Sequence, residues 1–227
     1  MTTSTVDCWL LRATGDLDDS TLSSAERQRA DAMRSAAAGR RYVSGRVAVR
    51  QVLGERLGLP PADVPIERAD GRIHLVDRPD CHVGLSHAED LVAVAVSADG
   101  SVGIDVEASE RSGEGVPAVA MTPQKVVATA VLVGDRLAPL GVWVAQEAAL
   151  KADGIGLSFP LSEVTLDPLN GGLVVRLGKR SVWGVTLRVV ADAVVAVAAA
   201  GPPPVLHCCV VTQAGHHLAA TGSNPGA

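Results

Sequence analysis

Aromatic residues are scarce: three Trp, one Tyr and one Phe, 2% of 227 residues. At 47% hydrophobic the chain still has ample material for a core, which Val, Ala and Leu must fill. Its length allows one large domain or two small ones. No apolar run approaches the ~20 residues of a membrane-spanning helix. Residues 1–19 carry no basic segment and turn acidic quickly, unlike a secretory leader. The four cysteines, Cys8, Cys81, Cys208 and Cys209, show no Cys-x-x-Cys spacing, so neither a zinc site nor a disulfide framework is expected. The net charge of −5 lacks the basic footprint of a general nucleic-acid binder. No phosphate-cradling glycine loop and no cluster of histidine ligands supports a nucleotide phosphohydrolase. These absences point to a soluble cytoplasmic protein, with no membrane and no nucleic acid among its partners.

The most informative stretch is Ser101-Val102-Gly103-Ile104-Asp105-Val106-Glu107, which alternates as a strand does. Asp105 and Glu107 then share one face, while Ile104 and Val106 enter a core. Neighbouring carboxylates repel unless something positive sits between them: a cation, an Arg or a Lys. Taken alone, the pair also suits a solvated strand end. Downstream, Trp143 to Asp153 is rich in helix formers and stops at Gly154. Residues four apart share a helix face, which lines up Trp143, Glu147 and Lys151. On an exposed face the last two would form only a weak ion pair. Yet Lys151 is one of three lysines, with Lys125 and Lys179, in a chain that otherwise uses Arg.

Around these stretches the organisation is legible. Residues 6–11 fit a first strand, 16–19 a polar break, and Ser23 or Ser24 a helix cap. Glu26 to Arg56 holds Arg27, Arg29, Arg34, Arg40, Arg41, Arg46, Arg50 and Arg56 against Glu26, Asp31 and Glu55. Arg suits phosphate because its planar fork donates two hydrogen bonds at once, although several of these residues simply cover the polar side of a helix. Gly54 to Pro61 closes that helix. Ala69-Asp70-Gly71-Arg72 reads as the turn of a hairpin, residues 82–87 and 91–96 as strands, 108–122 as the least regular part, and 109–116 within it as a mobile loop. Residues 126–133 fit helix or strand. From 163 to 200 the pattern is strands, with Asn170-Gly171 as a hairpin turn. Residues 201–227, Pro-rich and then Gly-rich, read as a disordered tail in which His216 and His217 form no site.

Gly103-Ile104-Asp105-Val106-Glu107, the Trp143–Lys151 helix, Gly154-Ile155-Gly156-Leu157 and the upstream Leu85-Ser86-His87 occur together in one order. In this the chain resembles the 4′-phosphopantetheinyl transferases, of the discrete Sfp type. The resemblance implies an α+β fold of two similar lobes, a pseudo-dimer. Each lobe would be an antiparallel sheet packed on a long helix, with the active site in the interlobe cleft. Residues 1–100 would form the N-terminal lobe and contact the nucleotide of coenzyme A. Residues 101–200 would form the C-terminal lobe. The implied reaction is Mg²⁺-dependent transfer of the phosphopantetheine arm of coenzyme A to a serine of an acyl or peptidyl carrier protein, releasing adenosine 3′,5′-bisphosphate.

By the same resemblance, Asp105, Glu107 and Glu147 hold Mg²⁺, and Glu147 with Lys151 is catalytic. Arg41, Arg72, Ser86, His87 and Lys151 contact coenzyme A. The protein would be a monomer serving polyketide, nonribosomal peptide or siderophore synthesis. Gln146 and Ile155 stand where the family has Lys, and Ile73 where it has Pro. Residues 118–125 replace a Phe-rich helix that carries a Glu. An alternative is a catalytically weakened relative that binds coenzyme A or a carrier without efficient transfer.

Overall fold

Runs of alternating apolar residues become strands, and capped runs of helix formers become helices. The structure, a computed structural model, describes residues 3–13, 18–69, 71–211 and 217–218. In chain order the first half holds β1 (Thr5–Arg12), α1 (Ser24–Asp31), α2 (Ala36–Leu57), β2 (Ile66–Ala69), β3 (Arg72–Leu75), β4 (His82–Ala88), β5 (Leu91–Ser97) and β6 (Val102–Ala108). The second holds α3 (Pro123–Val133), α4 (Ala138–Asp153), β7 (Val164–Leu169), β8 (Gly172–Leu177), β9 (Ser181–Val190), β10 (Ala193–Ala199), β11 (Val205–Val211) and β12 (His217–Leu218).

Two sheets result, in the orders β12-β11-β1-β5-β4-β3-β2 and β6-β10-β9-β8-β7. The pairings are antiparallel except that β1 and β11 run parallel, from Thr5 opposite Val205 to Leu11 opposite Val211. The architecture is mixed α+β with two antiparallel-rich sheets.

The sheets face each other through one buried cluster. Val6, Cys8 and Leu10 of β1 and Ala93 and Ala95 of β5 meet Ile104 and Val106 of β6 and Val195 and Val197 of β10. On the far face of the larger sheet, α2 packs Val49, Val52 and Leu53 against Val92, Val94 and Val96. On the far face of the smaller sheet, α4 packs Ala145, Ala148, Ala149 and Ala152 against Val194, Ala196 and Ala198. Each fully buried Val or Leu contributes about 1.5–3 kcal/mol. The small residues between α4 and its sheet let the two backbones approach closely.

Local signals explain most boundaries. Ser23 and Glu26 form a reciprocal capping box that starts α1. The basic run is two helices rather than one, because the Ser35 side chain caps a new start at Ala38 N–H. Residues 126–133 are helical: Thr122 caps the turn and Pro123 sits in its first position. α4 begins at Ala138, ahead of Trp143, and ends at Gly154 in the left-handed conformation. Asn170 and Gly171 both have positive φ, as a tight hairpin turn requires.

The disordered-tail expectation is corrected over Val205–Val211. That segment is apolar apart from His207 and completes the β1 edge, whose N–H and C=O groups would otherwise lack partners. Residues 16–17 of the polar break, Asp70 of the hairpin turn, and 212–216 and 219–227 of the tail, with His216, lie outside the described residues. No single described helix is long and apolar enough to cross a membrane. α3 and α4 pass that test only jointly and are bent by 99°.

Candidate active site

β6 alternates as its sequence demands: Ile104 and Val106 enter the core between the sheets, and Gly103 and Asp105 face α4. At Gly103 the helix lies directly on the strand. A side-chain carbon there would collide with the carbonyl oxygen of Ala148 and the backbone nitrogen of Ala152. Glycine is therefore required at 103, and the contact brings α4 against the acidic strand.

Lys151 of α4 donates through Nζ to Asp105 Oδ1 at 2.6 Å and to Ser86 Oγ at 2.9 Å. Ser86 of β4 in turn donates to Asp105 Oδ1 at 2.7 Å. Three elements thus converge on one buried carboxylate. Asp105 Oδ2 and Glu147 Oε1 are both buried without a hydrogen-bond partner. Glu107 accepts from Arg111 Nη1 at 2.6 Å. Burial, helped by the negative charges of Asp105 and Glu107, pushes the Glu147 carboxyl up to about 7, against an opposing pull from Lys151. Such a carboxylate is half-ionised near neutral pH, where a general base works best.

Beside this cluster lies a cavity of about 760 Å³. Arg46, Arg68, Arg72, Arg78 and Lys151 line it, together with His74, His82 and His87, and no Asp or Glu among the described residues does. In a chain of net charge −5 this is a concentrated positive surface. Burial, with Arg29 and Arg46 nearby, pulls the Arg68 pKa down. Arg46 is 5% exposed, stacks over Tyr42 at 5.3 Å, and has one buried Nη1 without a partner. Lys151 belongs both to the cavity wall and to the carboxylate cluster.

Glu147, Lys151, Asp105 and Ser86 come together, with Glu107 further along β6. His87 lines the cavity. Burial pulls its pKa down to about 4, assisted by the charges of Lys151 and Arg41, while a hydrogen bond to the Arg41 backbone works the other way. Its Nε2 is buried, unpartnered and pressed against Gly45, where a side-chain carbon would collide with it. Arg72 also lines the cavity, but its guanidinium donates to Ser101 Oγ at 2.7 Å and to Ala152 O at 2.6 Å, holding the last carbonyls of α4. Arg41 is exposed on α2 and is not among the cavity-lining residues. Sequence reasoning did not single out Arg46, Arg68 or Arg111. The first two are hidden among many arginines, while Arg111 stands four residues after Glu107.

The model of the 4′-phosphopantetheinyl transferase superfamily matches residues 101–198. A phosphopantetheinyl transferase of Thraustochytrium sp. is 30% identical over 198 residues, covering 73% of this chain and 67% of that protein. The chain belongs to the 4′-phosphopantetheinyl transferase superfamily.

Gln146, next to Glu147 in the sequence, belongs to the packing between two helices. It is fully buried between α3 and α4. Its Oε1 accepts from Lys125 Nζ at 2.9 Å and its Nε2 donates to Val142 O at 3.1 Å. Lys125 also donates to Ala120 O and Leu161 O. The Lys125 ammonium thus bridges α3 and α4, and position 146 faces the core.

The donor set for a metal is carboxylate oxygen throughout, which suits a hard divalent cation. The unpartnered, buried Asp105 Oδ2 and Glu147 Oε1 are orphaned acceptors of the kind such an ion satisfies. Among the described residues no three His, Cys, Asp or Glu side chains converge closely enough to hold an ion as they stand. Asp105 is turned to Lys151 and Glu107 to Arg111.

Proposed function

We propose that this protein transfers the 4′-phosphopantetheine arm of coenzyme A to a serine of an acyl or peptidyl carrier protein. The observation that carries the reading is Lys151, shared between a cationic cavity and a buried carboxylate cluster. Coenzyme A has the matching chemistry, with a nucleotide 3′-phosphate at one end and a reactive pyrophosphate further along. In this reading the protein is a pseudo-dimer of two lobes with the active site in the cleft between them, and it is a cytoplasmic monomer.

Arg41, Arg72, Ser86, His87 and Lys151 bind and orient coenzyme A, with Arg46 and Arg68 adding charge along the cavity. His87, neutral in the free protein, contributes contact rather than a fixed charge. Asp105, Glu107 and Glu147 would hold Mg²⁺, which when bound supplies charge neutralisation on the pyrophosphate. The carrier serine hydroxyl attacks the β-phosphorus. Its oxygen forms the new P–O bond while the bond to the bridging oxygen of the pyrophosphate breaks, and adenosine 3′,5′-bisphosphate leaves. Glu147, directly or through one water, accepts the serine proton. Lys151 stays close to the phosphates as a point charge, since phosphoryl transfer depends mainly on positioning and charge stabilisation.

Intact-mass spectrometry tests this. An apo-carrier incubated with the protein, coenzyme A and Mg²⁺ gains one phosphopantetheine arm, and the gain disappears with Glu147→Gln. No gain on either acyl or peptidyl carriers, with coenzyme A still bound by calorimetry, would favour the weakened relative instead.

A further inference from the structure

Each acid of the cluster meets positive charge differently. Asp105 is held by Lys151 and Ser86, whereas Glu147 Oε1 has no partner. Glu107 Oε2 takes Arg111 Nη1 at 2.6 Å, and the same guanidinium donates through Nη2 to Glu114 O at 3.0 Å. One side chain therefore ties a site carboxylate to the loop that follows β6. Turn hydrogen bonds shape the rest of that loop, from Ser112 N–H to Ser109 O and from Val116 N–H to Gly113 O. A short 3-10 turn, Ser109–Arg111, is followed by positive φ at Ser112, Gly113 and Gly115. Arg136 joins the same loop from outside, donating to Ser109 O and Ser112 Oγ.

We propose that Arg111 is a built-in counter-ion that competes with a divalent cation for Glu107, and so sets metal affinity and couples it to the 109–116 loop. The inference rests on the reading that Asp105, Glu107 and Glu147 hold the cation. Arginine keeps its charge at any working pH, so it leaves Glu107 only by displacement. The pair is partly exposed: Glu107 is 14% and Arg111 38% accessible. Displacement is therefore inexpensive enough to be reversible. When Glu107 turns to a cation, the guanidinium loses its strongest partner and keeps only Glu114 O, so the Glu107 anchor of the loop is released while Arg136 still holds Ser109 and Ser112.

Direct binding of Mn²⁺ to the full-length protein, by calorimetry or by the electron paramagnetic resonance signal of the free ion, tests this. Arg111→Gln binds Mn²⁺ roughly 3- to 30-fold more tightly than the unsubstituted protein, the span expected for losing one charge-assisted competitor. Arg111→Lys stays near the unsubstituted value. A Glu-specific protease, cutting after Glu110 or Glu114, cleaves the unsubstituted loop faster once Mn²⁺ is added and cleaves the Arg111→Gln loop fast without it. Equal or weaker Mn²⁺ binding by Arg111→Gln overturns the role of Arg111. If instead the unsubstituted protein, with coenzyme A present, binds Mn²⁺ no better than Asp105→Asn, the metal reading itself fails and this inference falls with it.

Discussion

At the scale of single residues, Glu147 carries the clearest electrostatic signature. Its pKa is raised, so the folded protein favours the protonated form and a stability cost appears as the carboxyl ionises. The contribution is favourable below the unfolded value near 4.5 and is lost as pH rises through about 7. The metal-free protein should therefore melt progressively lower than Glu147→Gln between about pH 5 and pH 8. Thermal denaturation across that range checks it, and a constant difference would contradict it. His87 works in the opposite sense: its lowered pKa contributes stability above its ordinary value of 6.5, lost as pH falls through about 4. These directions were not legible in the sequence. It showed Asp105 and Glu107 on one face and Glu147 and Lys151 four apart. It did not show that Lys151 would choose Asp105 rather than Glu147, because that depends on how α4 lies on β6.

At the scale of elements, the contact between β6 and α4 builds the cluster. Gly103→Ala forces a methyl group into the backbone of α4, where no flexible side chain can yield. The expected loss is about 3 kcal/mol or more, measured by urea denaturation. The variant's residual folded fraction should also lose the Lys151–Asp105 contact and bind coenzyme A more weakly. A loss below about 1 kcal/mol would mean that helix and strand are not this close. Elements with local signals were readable in advance: the alternating strands, the Ser23–Glu26 box and the Asn170-Gly171 turn. The break at Ser35 was masked by a continuous run of Ala and Arg. The Lys125–Gln146 contact spans two helices, and sequence spacing carries no trace of it.

At the scale of the whole molecule, the last described strands return to the first. β11 pairs with β1, and Thr186 Oγ1 fastens the approach by donating to Pro204 O at 2.6 Å. Ending the chain after Pro204 should lower stability by at least about 2 kcal/mol and promote aggregation through the bared β1 edge. Differential scanning calorimetry and light scattering measure both. Unchanged melting would show that β11 is dispensable. The strand was misread because a Pro-rich lead precedes it and its partner lies at the other end of the sequence. The two-sheet arrangement also explains how an acidic chain concentrates positive charge. Arg46 and Arg68 come from separate elements of the first half, and Lys151 from the second, to wall one cavity.

The central claim is that this cavity and the carboxylate cluster act on one coenzyme A molecule. The most direct measurement follows both products of one reaction: mass gain on the carrier serine and release of adenosine 3′,5′-bisphosphate. The account predicts equal molar amounts of the two, with neither formed when the carrier serine is replaced by Ala. Release of the bisphosphate without a modified carrier, or no change in either, would contradict it.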